Sequence, residues 1–152
     1  MQHWWLPGSG AGVRTRIADD VVWLAYALSE YLRATGDKTI LDESLPFITG
    51  QELQPAEHDA FFQPGVSQQA ASVYEHAAKA LDLAIERTGA NGLPLFLGGD
   101  WNDGMNRVGQ EGRGESVWLR LVPASCAQGL PPCAEERKDA SRSTAGRRTH
   151  RA

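Results

Sequence analysis

The sequence predicts an all-α fold in which helices are joined by long loops. Two segments, residues 19–35 and 68–88, carry apolar side chains at helical spacing, and no segment alternates apolar and polar residues as a half-buried strand does. The chain has 152 residues, of which 41% are hydrophobic, enough for one domain with a buried core.

The elements follow in chain order. Residues 2–18 are aromatic, then glycine-rich, then basic, and we interpret them as a loop. The first helix begins at Asp19, with acidic residues at its positive end, and stops at Gly36. Residues 35–48 are read as a turn and a short helix broken near Pro46.

Gln51–Pro64 has no period and is predicted to be a long irregular loop. The second helix is predicted over Gln68–Thr88, with Ser67 as its N-cap and Gly89 just beyond its end.

The composition changes after Leu119. Up to that residue 16 acidic side chains face 8 Lys and Arg, whereas from Arg120 onward 3 face 7. We therefore expect residues 1–119 to be folded and residues 120–152 to be a disordered tail. The tail holds Cys126 and Cys133, whose spacing fits no common zinc or redox motif, so a disulfide framework is not expected.

The acidic character of residues 1–119 argues against nucleic acid as a partner, because phosphate binding needs clustered Lys and Arg. No apolar stretch is long enough to span a membrane, and we expect a cytoplasmic protein.

Gly98–Asn106 is the segment that most clearly suggests chemistry. It places two carboxylates, an indole and two amides between glycines that let the backbone turn. An aromatic face beside acids and amides suits a sugar, since the ring stacks on C–H patches while the polar groups bind hydroxyls. The simpler alternative is a turn held by Asx hydrogen bonds.

Several motifs together resemble glycoside hydrolase family 94, most closely the phosphorylase-like region of cyclic β-1,2-glucan synthases. The resemblance covers residues 2–119. It rests on the runs QHWW (2–5), GVRTRIADD (12–20), EHDAFFQP (57–64), YEH (74–76), GDWNDGMNRVG (99–109) and GRGESVWL (112–119).

The resemblance implies part of an (α/α)6 barrel that performs inverting phosphorolysis of β-glucans, with inorganic phosphate as co-substrate and no metal or other cofactor. Asp103 would be the general acid, with Asp100 as a negative neighbour that raises its pKa. Substrate-binding roles fall on Trp101, Asn102, Arg14 and Asp20. Arg16 and Asp19 are alternatives to the last two, and Asp19–Asp20 could equally cap their helix.

The departures from the family also matter. The resemblance stops at Leu119, and the tail has the composition of an out-of-frame translation, so we expect a fragment without phosphorolysis activity. Two alternatives remain: an inactive glucan-binding fragment, or an inverting hydrolase with Glu57, Asp59 or Glu75 as second carboxylate. Glu57-His58-Asp59 is not expected to bind a metal, because adjacent side chains rarely point at one ion.

Overall fold

The computed structural model describes residues 2–102, 105–126 and 137, and within them the fold is mixed α and β. The all-α prediction is therefore wrong, and helix pairs of an (α/α)6 barrel are not what the described residues form. The helices are α1 (Asp20–Thr35), α2 (Val73–Glu86) and α3 (Val117–Cys126); the strands are β1 (Trp4–Trp5), β2 (Gly12–Thr15), β3 (Ser44–Thr49), β4 (Asp59–Phe62) and β5 (Gly65–Ser72).

Three strands of one antiparallel sheet lie in segments that the sequence presents as loops. The order is β1-β2-β4, and Val13 pairs with Phe61. Gly12 allows the close approach of β1, because a Cβ atom there would lie 2.1 Å from the carbonyl oxygen of Trp4. The strands are short, and their pairing depends on partners distant in sequence, which local periodicity does not report.

Strands β3 and β5 form a second antiparallel sheet, so neither the helix near Pro46 nor a second helix starting at Gln68 is present. Pro46 has no N–H to donate, and the register shifts between Pro46 and Ile48, which is where a strand tolerates proline. Helix α2 begins after Ser72, whose hydroxyl and Glu75 form a reciprocal capping box.

Helix α1 matches its prediction. It covers Asp20–Thr35, and Gly36 adopts φ of 69° while its N–H donates to Leu32. None of the helices in the described part of the chain is long and apolar enough to span a membrane.

The core consists of two clusters, and both contain residues of α1 and α2. One joins α1, α2 and the 3₁₀ helix Thr39–Asp42 around Leu28, Leu41 and Ala77. The other joins α1, α2 and α3 around Val22, Ala84 and Leu119. Helix α3 therefore crosses the boundary predicted at residue 119; the disorder of the later tail stays a prediction, since 127–136 and 138–152 lie outside the described residues.

Candidate functional site

The backbone joins the acidic start of α1 to the Asp100-Trp101-Asn102 segment. The N–H of Gly98 donates to the carbonyl of Arg16 at 3.0 Å, and the N–H of Ala18 donates to that of Gly99 at 2.8 Å. Between these bonds, Ile17 and Leu97 form an isolated antiparallel bridge. Two segments far apart in sequence, both proposed to bind sugar, are thus neighbours.

The turn that carries this segment is unusual in its backbone. Leu97 has φ of 52°, in the left-handed region that disfavours side chains, and Gly99 has φ of 152°. A Cβ atom at Gly109 would lie 2.0 Å from the carbonyl oxygen of Leu97. Gly109 therefore permits a close backbone approach, and the strain at Leu97 lies three residues before Asp100, consistent with a functional loop.

Asp100 fixes the loop internally. It is 2% exposed, and its Oδ1 accepts hydrogen bonds from the backbone N–H and side-chain amide of Asn102, at 2.9 and 3.1 Å. Its Oδ2 accepts from the hydroxyl of Ser116 at 2.8 Å, and that hydroxyl also accepts from the N–H of Leu119 at the start of α3. The loop is consequently bonded to Ser116, the N-cap residue of α3. The side chains of Asp100 and Asn102 therefore both stabilise the loop.

Trp101 projects outward from this fixed loop. Its side chain is 57% exposed, and its ring lies 5.9 Å from that of Trp118, centroid to centroid, at an angle of 35°. An exposed indole on an internally braced turn is a suitable stacking surface for a sugar ring.

Asp103 and Gly104 lie outside the described residues. The assignment of Asp103 as general acid, and the influence of Asp100 on its pKa, therefore stay predictions from the resemblance.

Asp19 is a buried carboxylate, 5% exposed. Its Oδ2 accepts from the indole N–H of Trp23 at 2.9 Å, while Oδ1 has no hydrogen-bond partner among the residues that the structure describes. Burial raises the pKa of the Asp19 carboxyl above its ordinary value, and the charges of Asp20 and Asp100 add to the effect. Asp19 makes no capping hydrogen bond to α1, so that alternative for this residue is not supported.

Asp20 is held by two N-terminal residues. His3 Nδ1 lies 2.8 Å from Oδ1, and the Thr15 hydroxyl donates to Oδ2 at 3.3 Å. Both members of the His3–Asp20 pair are largely buried. Sequence reasoning missed His3 as a site residue; its position in the Gln-His-Trp-Trp motif was the available signal.

The side chains of Arg14 and Arg16 are hydrogen-bonded to the segment 50–57 of the chain. Arg14 donates to the backbone carbonyls of Gly50 and Gln51 and lies over the Phe62 ring. Arg16 donates to the carbonyls of Leu53, Gln54 and Glu57. The two guanidinium groups thus bind backbone carbonyls of the 50–57 segment.

Two of the carboxylates needed by the hydrolase alternative are occupied locally. Glu57 accepts from the N–H of Gln54, and Glu75 belongs to the capping box of α2. Among the described residues, no group of three or more His, Cys, Asp or Glu side chains is placed to bind a metal ion.

Comparison with known families assigns the chain. The sequence model described as "Glycosyl hydrolase 94 superfamily, catalytic domain" matches residues 7–150. The chain belongs to glycoside hydrolase family 94. The resemblance inferred from the motifs is confirmed, and the match continues past residue 119, although the domain boundary proposed there stays a prediction.

Similar proteins include one synthase and several phosphorylases. The chain is 59% identical over 142 residues to the cyclic beta-(1,2)-glucan synthase NdvB of Rhizobium meliloti, covering 93% of this chain and 5% of the synthase. It is 34% identical over 106 residues to the cellobionic acid phosphorylase of Neurospora crassa, covering 70% of this chain and 11% of that enzyme. It is 33% identical over 105 residues to the solabiose phosphorylase of Paenibacillus borealis, covering 69% and 11%. The chain thus spans only a small part of these family members.

Proposed function

We propose that this chain forms the sugar-binding and proton-donating wall of an active site that performs inverting phosphorolysis, or the reverse glycosyl transfer, on β-glucans. The observation that supports this most directly is the backbone pairing of Arg16–Ala18 with Leu97–Gly99, because these segments lead directly into Asp19–Asp20 and into Asp100–Trp101. Family membership and the names of the relatives supply the reaction class.

The sugar would be bound by complementary surfaces. Trp101 presents an exposed ring for the C–H face of a glucosyl unit. Asp20, kept in place by His3 and Thr15, offers carboxylate oxygens as acceptors for hydroxyl groups. Because its position is fixed before substrate arrives, little ordering entropy is lost on binding.

The chemical step requires one acid. An oxygen of inorganic phosphate attacks the anomeric carbon from the face opposite the glycosidic bond; the bond from that carbon to the leaving oxygen breaks, and Asp103 donates its proton to that oxygen. The products are α-glucose 1-phosphate and a glucan one unit shorter. Phosphate is already an anionic nucleophile, so the second carboxylate that an inverting hydrolase uses to activate water is not needed.

Two of the three candidate bases of the hydrolase alternative already have local structural roles. Glu57 accepts a hydrogen bond within a turn and Glu75 belongs to a helix cap, whereas phosphorolysis needs no second carboxylate. We therefore propose phosphate as co-substrate, without a metal or other cofactor.

The first test is binding. The isolated chain is expected to bind a β-1,2-linked glucose disaccharide, measured by tryptophan fluorescence, because Trp101 is exposed at the site. The Asp103→Asn variant should bind equally well, since it removes an ionisable proton but little volume. Absence of saturable binding would overturn the proposed function.

The second test is turnover. The chain with β-1,2-glucan and phosphate is expected to release no glucose 1-phosphate, because it spans 5% of the matched synthase. Release by the native chain would contradict that expectation, and its loss in Asp103→Asn would then support the acid assignment. Release that survives in Asp103→Asn would refute the assignment.

A further inference from the structure

Four aromatic rings from three parts of the chain contact one another in succession, and we call them the aromatic row. Centroid distances are 5.7 Å from Tyr26 to Trp23, 5.8 Å from Trp23 to Trp118, and 5.9 Å from Trp118 to Trp101. The first two residues lie on α1, the third on α3 and the last on the candidate-site loop. Each step is comparable with the length of one sugar ring.

Two rings of the aromatic row pack against the core, and the other two are exposed to solvent. Tyr26 and Trp118 pack against the core cluster around Val22 and Leu119. Trp23 and Trp101 remain 43% and 57% exposed. Large aromatic side chains usually bury most of their surface, so two open indoles linked through anchored rings indicate a binding surface.

The polar groups beside the aromatic row indicate which kind of ligand would bind there. The indole N–H of Trp23 is bonded to Asp19 Oδ2, which fixes the ring and leaves its face as the binding element. Within the described part of the chain, Asp19 Oδ1 is buried without a hydrogen-bond partner, and such an acceptor favours a ligand that brings a hydroxyl donor. Carboxylates at this edge disfavour anionic ligands, whereas a neutral glucan offers both apolar C–H faces and hydroxyl groups.

We propose that the aromatic row is an extended path for the β-glucan chain, binding glucosyl units beyond the one held at Trp101. The inference rests on the proposed function, and it concerns chain length, which that function leaves open. It assigns Trp23, Trp118 and Tyr26 to substrate binding; of these three, only Trp118 lies in one of the family motifs, GRGESVWL (112–119).

The test compares saccharides of increasing length. Affinities of the chain for the β-1,2-linked disaccharide, tetrasaccharide and hexasaccharide of glucose are measured by isothermal titration calorimetry. Affinity is expected to rise with length in the native chain. Trp23→Ala should reduce hexasaccharide affinity about two- to tenfold, the range expected for one aromatic contact, while disaccharide affinity is kept.

Trp5→Ala is the matched control. Trp5 is 60% exposed but has no ring contact with the row, so its loss should change neither affinity. Trp23→Leu keeps apolar volume without a ring face, and it replaces the alanine variant if circular dichroism shows that the latter is unfolded.

The outcomes separate the two proposals. Disaccharide binding without a gain from length, or an equal loss in Trp5→Ala and Trp23→Ala, overturns the extended path and leaves the proposed function standing. The same result is expected if the row instead packs against another part of a longer protein. Failure to bind any saccharide overturns the proposed function, and the extended path with it.

Discussion

Replacing Ser116 with alanine removes the hydroxyl that joins the candidate site to α3. In the native chain that hydroxyl donates to Asp100 Oδ2 at 2.8 Å and accepts from the N–H of Leu119 at 3.1 Å. Ser116→Ala therefore deletes a helix cap and, at the same time, takes a donor away from a carboxylate that is 2% exposed.

The expected cost follows from these two losses. An N-cap serine replaced by alanine typically costs about 1 kcal/mol. Leaving a buried acceptor without its donor costs about 1–3 kcal/mol more. The free energy of unfolding should consequently fall by about 2–4 kcal/mol.

Urea denaturation provides the measurement, and Ser72→Ala provides the matched control. Ser72 caps α2 by accepting from the N–H of Glu75, but it does not contact Asp100. The control should lose about 1 kcal/mol, the cap alone. Equal losses in the two variants would show that the Ser116–Asp100 bond adds nothing, and the account of how the loop is fixed would be refuted.

Two further variants test the site's electrostatics and its backbone. Burial raises the pKa of Asp19 in the folded chain, so the protonated carboxyl stabilises the fold. This contribution to stability is fully present below the ordinary carboxyl pKa of about 3.8, and it is lost as pH rises through the raised pKa. The Asp19→Asn variant cannot ionise at this position. The urea midpoint of the variant should therefore rise relative to that of the native chain between about pH 4 and pH 7. A difference between the two midpoints that does not change with pH would contradict the raised pKa of Asp19. Gly109→Ala places a methyl group against the Leu97 carbonyl oxygen and should cost about 1–3 kcal/mol or prevent folding, measured by thermal unfolding. Gly8→Ala, where nothing lies within 4 Å, should change stability by less than about 0.5 kcal/mol, and similar losses in both would refute the close approach.

Local patterns predicted the helices better than the sheets. Helix α1 was found because its apolar spacing and Gly36 both report local structure. The start of α2 was missed by five residues, since Gln68–Ser72 is polar and alanine-rich yet pairs with β3. The Ser72–Glu75 spacing of a capping box would have marked the true start.

The motifs singled out segments of the candidate site, but not the partners of their residues. The bond between Ala18 and Gly99 makes Gly98–Asn106 and Asp19–Asp20 neighbours, and their roles in sugar binding stay predictions. The carbonyl contacts of Arg14 and Arg16 could not be foreseen, because they depend on where a segment more than thirty residues away is folded. The Trp118–Trp23 contact likewise joins two helices whose packing no local pattern reports.

The interleaving of the two sheets has a consequence for the order of folding. Strand β4 lies between β3 and β5 in the chain but pairs with β2, and the loop at Gly99 pairs with Ala18. The contact between Ala18 and Gly99 closes the longest of these loops, and we expect it to form after the pairing of β3 with β5, whose partners are closer in sequence. Ser116, which bonds to Asp100, and Trp118, which contacts Trp23, lie far beyond α1 in the chain. During synthesis, the start of α1 therefore gains these contacts only after residues 116–118 have left the ribosome.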